Sequence, residues 1–191
     1  MTSKRITLAI TGATGSAFGV AVLRRLAANP AVEQVNLLLS PIGRRCVEDE
    51  AGYTQEDLLG FSPKIQYLYE HDLGACISSG SYRKDGMVVL PCSAGTLGRI
   101  ASGTSENLVA RAADVCLKER HPLILCVRET PFNRIHLENM LRVHDAGAFV
   151  MPLMPSFYHR PQVLDDLYEA FATRVLDHLG LVEEDTRRWK G

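Results

Sequence analysis

With 191 residues, 46% of them hydrophobic and 23% charged, the chain suits one globular domain with a full core. A formal net charge of -1 offers no electrostatic footprint for nucleic acid and no polybasic patch for a membrane surface, so any anion binding has to be local. The cysteines (46, 76, 92, 116 and 126) are odd in number and form no Cys-x-x-Cys pair, which argues against a disulfide framework and a structural zinc site and favours a reducing, cytoplasmic compartment.

Along the chain, apolar runs at 6–10, 35–39, 87–90, 123–127 and 148–151 read as strands covered on both faces. The first is far too short for a signal sequence or a membrane span. Helical patterns at 16–28, 42–50, 96–101, 106–120, 134–145 and 163–179 lie between and after the strands. Such alternation predicts a single α/β domain over 1–191, with a parallel sheet between two helical layers and ligands at the carboxyl ends of the strands. Residues 52–84 show no clear period. The prolines at 152, 155 and 161 predict a stiff loop.

The first strand runs into Thr11-Gly12-Ala13-Thr14-Gly15-Ser16. A strand, a glycine loop and a helix N-terminus can cradle an anion. The same residues also make a tight packing turn, and both readings stay open. The second strand ends in Ser40-Pro41, without the carboxylate that holds an adenosine ribose, so a dinucleotide is disfavoured and a mononucleotide such as FMN fits better. After the third run comes Pro91-Cys92-Ser93-Ala94-Gly95-Thr96, where Ser93 and Thr96 can cap a helix or face a ligand and Cys92 reads as a packing residue.

The stretch 111–139 concentrates charge. Arg111, Asp114 and Lys118 share a helix face, and Arg128-Glu129 follows the 123–127 strand at the expected ligand edge. Three cations and a carboxylate converging there would make an anion site with an acid or base beside it. The bland alternatives are an Asp114–Lys118 surface pair and an Arg128–Glu129 ion pair. In the last helix Leu164, Leu167, Tyr168, Phe171, Val175 and Leu179 form a core stripe. Arg174 at its edge needs an anion or a carboxylate such as Asp165, and Tyr158 in the proline-rich loop can donate to the same anion. No His spacing suits a metal.

Taken together, these motifs resemble the flavin prenyltransferase (UbiX-like) family over nearly the whole chain. The resemblance rests on residues 11–15, on Ile77-Ser78-Ser79-Gly80-Ser81, on residues 91–97 and on Arg111-Ala112-Ala113-Asp114-Val115. Its most specific parts are Leu117-Lys118-Glu119-Arg120, Arg128-Glu129-Thr130-Pro131 and His136-Leu137-Glu138-Asn139-Met140. Phe157-Tyr158-His159-Arg160-Pro161 and Arg187-Arg188-Trp189 complete it.

The resemblance implies a three-layer, flavodoxin-like Rossmann fold assembled as a dodecamer, with sites between subunits. It implies metal-independent transfer of dimethylallyl from its monophosphate to N5 and C6 of reduced FMN, the prenylated FMN passing to a UbiD-type decarboxylase. By resemblance, FMN would contact Gly12, Ala13, Thr14, Ser40, Ser93, Ala94, Gly95, Thr96 and Arg128. The substrate phosphate would meet Lys118, Glu129, Tyr158 and Arg174, with Arg111 nearby. Glu50 would manage a flavin proton, Glu129 would protonate the departing phosphate, and Trp189 would wall the prenyl pocket. Two departures stand out: Thr14 occupies a position that is often Ser, and a tryptophan-bearing insertion found in some members is missing. The rival readings are a flavin-dependent cysteine decarboxylase, whose Pro-x-Met-Asn loop lacks its Asn at Pro152-Leu153-Met154-Pro155, and an FMN electron carrier, which needs no cationic cluster.

Overall fold

The computed structural model describes residues 3–181. Six parallel strands, β1 (Lys4–Ile10), β2 (Val32–Leu39), β3 (Ile65–Leu68), β4 (Gly86–Cys92), β5 (Leu123–Val127) and β6 (Phe149–Val150), form one sheet in the order β3-β2-β1-β4-β5-β6. The helices are α1 (Ser16–Ala28), α2 (Pro41–Cys46), α3 (Gln55–Gly60), α4 (Ala94–Ser102), α5 (Leu108–Glu119), α6 (Arg134–Asp145) and α7 (Leu164–His178). A π-helical turn, Val47–Ala51, continues α2, and a 3-10 turn, Cys76–Ser78, precedes β4. This is the three-layer, doubly wound α/β architecture that the alternation implied.

Alternation along each strand builds the two outer layers. Ile6, Leu8 and Ile10 face a core shared with α1 and α7, where Phe18 meets Tyr168 and Phe171 edge-to-face at 4.7 and 5.5 Å. Ala9, Met87 and Val89 face the opposite core with α4 and α5. Gly19 lets α1 lie directly on the sheet, since a Cβ there would sit 2.6 Å from Leu90 O.

The structure adds α3 and β3 inside the 52–84 stretch that showed no period. Strand β6 shrinks to two residues. The apolar stripe of the last helix also ends early: Phe171, Val175 and Leu179 are buried, but Leu164 is 66% exposed, because the N-terminus of α7 runs past the core.

Candidate active site

The strand order reverses between β1 and β4, which opens a crevice at their carboxyl ends. Thr11 ties the two loops together there. Its hydroxyl donates to Pro91 O at 2.8 Å and accepts from Ser93 N at 3.0 Å. The loops after β2 and β5 flank this pair, so Gly12, Ala13, Thr14, Ser40, Ser93–Thr96 and Arg128 all belong to one edge of the sheet.

The glycine loop works partly as a packing turn. A Cβ on Gly12 would meet Ile42 Cβ at 2.8 Å, and Gly15 has φ 98 with Leu153 Cδ2 2.5 Å from where its Cβ would be. The α1 N-terminus is already satisfied by an anion from the chain itself. Glu50 Oε2 accepts from Gly15 N at 2.8 Å, Ser16 N at 3.1 Å and the Ser16 hydroxyl at 3.0 Å. Burial pushes the Glu50 carboxyl up, but hydrogen bonds from Thr14, Gly15 and Ser16 outweigh that cost and hold its pKa below the ordinary value. A ligand phosphate therefore has to find other donors.

Those donors lie at α4 and β5. Ser93 caps α4, accepting from Thr96 N at 3.3 Å and donating to Thr96 Oγ1 at 3.0 Å. The N–H groups of Ala94 and Gly95 open this helix and have no acceptor within it, and a Cβ on Gly95 would meet nothing closer than Arg99 Nη1 at 3.5 Å. Arg128 N donates to Cys92 O at 3.0 Å, which fixes its backbone on the crevice rim. The bland ion-pair reading fails here. Glu129 Oε1 accepts from its neighbour Thr130 N at 2.9 Å, and among the described residues no ion pair engages the Arg128 guanidinium. Ser40, at the end of β2, caps α2 through Gly43 N at 3.0 Å. Exposed N–H groups, hydroxyls and a half-buried, uncommitted arginine fit the phosphate and polar tail of a mononucleotide.

The expected convergence of all three cations is not found within one chain. Lys118 lies in the last turn of α5, near the amino edge, whereas Arg128 and Glu129 follow the carboxyl end of β5. Five strand residues, about 15–20 Å, separate those edges. Arg111 and Lys118 instead face the segment before β4. Arg111 Nε donates to Ser78 O at 3.1 Å, and a Cβ on Gly80 would lie 2.6 Å from Lys118 Nζ. The ion pairs also differ from the expected Asp114–Lys118 contact. Arg111 pairs with Asp114 at 2.8 Å, and Lys118 pairs with its neighbour Glu119. Arg174 pairs with Asp177 at 3.1 Å, not with Asp165, because i,i+3 spacing on α7 brings Asp177 alongside. Tyr158 is half exposed and packs edge-to-face on His159, whose two ring nitrogens are buried without a hydrogen-bond partner among the described residues. Trp189 lies outside the described residues.

Burial raises the Cys92 thiol to about 12, so it is no nucleophile and acts as the packing residue that was expected. Among the described residues no three His, Cys, Asp or Glu side chains gather as a metal site would need, and no helix is long and apolar enough to cross a membrane.

Comparison with known proteins decides the family. The Flavoprotein family model matches residues 1–171. A probable UbiX-like flavin prenyltransferase of Streptomyces sp. (strain D7) is 45% identical over 187 residues, covering 98% of this chain and 92% of that protein. The chain belongs to the UbiX-like flavin prenyltransferase family. The crystal structure of AnUbiX (PadA1) in complex with FMN and dimethylallyl pyrophosphate matches this family member with a TM-score of 0.87 and 40% identity, over 99% of this chain and 98% of that one. A dodecameric FMN-dependent UbiX-like decarboxylase from Escherichia coli O157:H7 matches with a TM-score of 0.91 and 42% identity, over 98% and 100% of the two chains.

Proposed function

We propose that the chain binds reduced FMN in the crevice between β1 and β4 and transfers a dimethylallyl group to it from dimethylallyl monophosphate. The observation that carries this reading is the rim of that crevice: Arg128, uncommitted, beside the open N-terminus of α4. An electron carrier has no need of further phosphate-binding cations, and the cysteine decarboxylase reading lacks its loop asparagine.

When bound, reduced FMN supplies the nucleophile that accepts the prenyl group. The residues then divide the work. The α4 N-terminus, Thr14, Ser40 and Arg128 hold the flavin. Glu50, held ionised, is placed beside Thr14 to accept a proton. Lys118, Arg111 and Arg174 stabilise the charge that gathers on the leaving phosphate as the allylic C–O bond breaks, with no metal involved. Tyr158 donates to that phosphate, Glu129 delivers a proton to it, and Trp189 shields the allyl group from water.

Because Lys118 and Glu129 sit at opposite ends of β5, one site can use both only if different copies of the chain contribute them. Several features support such an assembly, a dodecamer by analogy with the Escherichia coli O157:H7 relative. Ile135, Leu137 and Leu141 on α6, with Phe157 and Leu164, leave large apolar surfaces exposed, and the His159 imidazole awaits a partner. The setting is the cytoplasm, and a UbiD-type decarboxylase receives the product. Anaerobic incubation with reduced FMN and dimethylallyl monophosphate, followed by mass spectrometry of the flavin, tests the reading. A flavin heavier by one C5 unit supports it, and unmodified FMN overturns it.

A further inference from the structure

Among the described residues Lys84 is the only charged side chain that is fully buried, at 2% exposure. A buried ammonium costs several kcal/mol unless hydrogen bonds or opposite charges offset the loss of water. Lys84 has one direct hydrogen bond and, among the described residues, no ion pair of its own. Its Nζ donates to Ile77 O at 2.7 Å. Burial lowers its pKa, and the nearby charges of Lys118 and Arg111 lower it further; the Cys116 and Cys76 thiols act the other way, and the Glu119 carboxylate lies within electrostatic reach of the ammonium. For stability alone a methionine would serve better at this position.

The surroundings suggest what the charge is for. Ile77 and Ser78 are consecutive residues of the 3-10 turn. Lys84 holds the carbonyl of the first, and Arg111 donates through Nε to the carbonyl of the second at 3.1 Å. Two residues on, Gly80 has no side chain, and this leaves room for the Lys118–Glu119 pair against the backbone. Lys84 therefore lies beneath the turn that anchors Arg111, within electrostatic reach of Lys118.

We propose that Lys84 is a positioning residue for the prenyl-phosphate half-site. It fixes the turn on which Arg111 rests, and it adds a third positive charge behind Arg111 and Lys118 that a bound phosphate neutralises. This rests on the reading of Arg111 and Lys118 as phosphate-binding residues.

The test is steady-state prenyl transfer under anaerobic conditions, at saturating reduced FMN and varied dimethylallyl monophosphate, with Lys84→Met and Lys84→Gln compared with wild type. The expected result is a KM for the monophosphate raised about tenfold in Lys84→Met, with kcat, FMN affinity and oligomer size near wild type and no fall in melting temperature. Gln retains a donor for Ile77 O without the charge, so Lys84→Gln should fall between the two. An unchanged KM overturns the proposal. So does a loss of folding in both variants, which would make Lys84 purely structural. Lys118→Ala run alongside separates the two ideas: prenyl transfer there at the wild-type rate and KM sinks the phosphate-site reading itself, however the Lys84 variants behave.

Discussion

Glu50 illustrates how much one side chain decides at this edge. Its carboxylate occupies the α1 N-terminus, where a charge is worth about 0.3–1 kcal/mol at an exposed site. Because its pKa is lowered in the fold, that contribution is fully present above the ordinary carboxylate value of about 4.3 and is lost as pH falls through the lowered one. Glu50→Gln keeps an acceptor but not the charge. It should cost about 0.5–1 kcal/mol at pH 7, and urea melts should show the gap to wild type closing below about pH 4. A gap independent of pH would contradict this account. On the proposed function Arg128 acts through its ligand. Arg128→Met should weaken FMN binding by about tenfold to a hundredfold, the range expected for one charge-assisted hydrogen bond. Its thermal stability should hardly change, since among the described residues no ion pair engages its guanidinium. Flavin fluorescence titration and a melting curve would separate the two effects.

At the scale of elements, the glycine turn after β1 shows why the sequence left two readings open. Gly15 needs its positive φ and its bare Cα because Leu153 closes over it from the β6 loop, a contact between residues far apart in sequence. Gly15→Ala should therefore destabilise the fold by about 1–3 kcal/mol, seen as a lower midpoint in chemical denaturation; a wild-type midpoint would contradict this. The strands of the sheet interior were legible because burial on both faces leaves an apolar run. Strand β3 was not, for it is a four-residue edge strand in which Gln66 and Tyr67 interrupt the run. Helix α3 does carry a signal in the sequence, the Thr54–Asp57 capping box, with reciprocal bonds of 3.2 and 2.8 Å. Sequence position also misled about the cations. Lys118 and Arg128 are ten residues apart in the chain, but a helix end and a whole strand put them at opposite edges of the sheet.

Over the whole molecule, that separation matters most. On the proposed function, a chain carrying Glu129 and Arg128 at one edge and Lys118, Arg111 and Lys84 at the other holds two different halves of a site. Symmetric assembly would bring such halves together and would cover the apolar surface of α6 and Leu164 of α7 in the same step. The most direct measurement uses two variants that should each be inactive alone, Lys118→Ala and Glu129→Gln, dissociated, mixed in equal amounts and reassembled, with C5 addition to reduced FMN read by mass spectrometry. If the site is shared between copies, random assortment pairs an intact Lys118 with an intact Glu129 in about a quarter of sites, and activity should return to roughly that level. If both residues served one site from the same chain, every site would carry a defect; mixed oligomers as inactive as either parent would contradict the account.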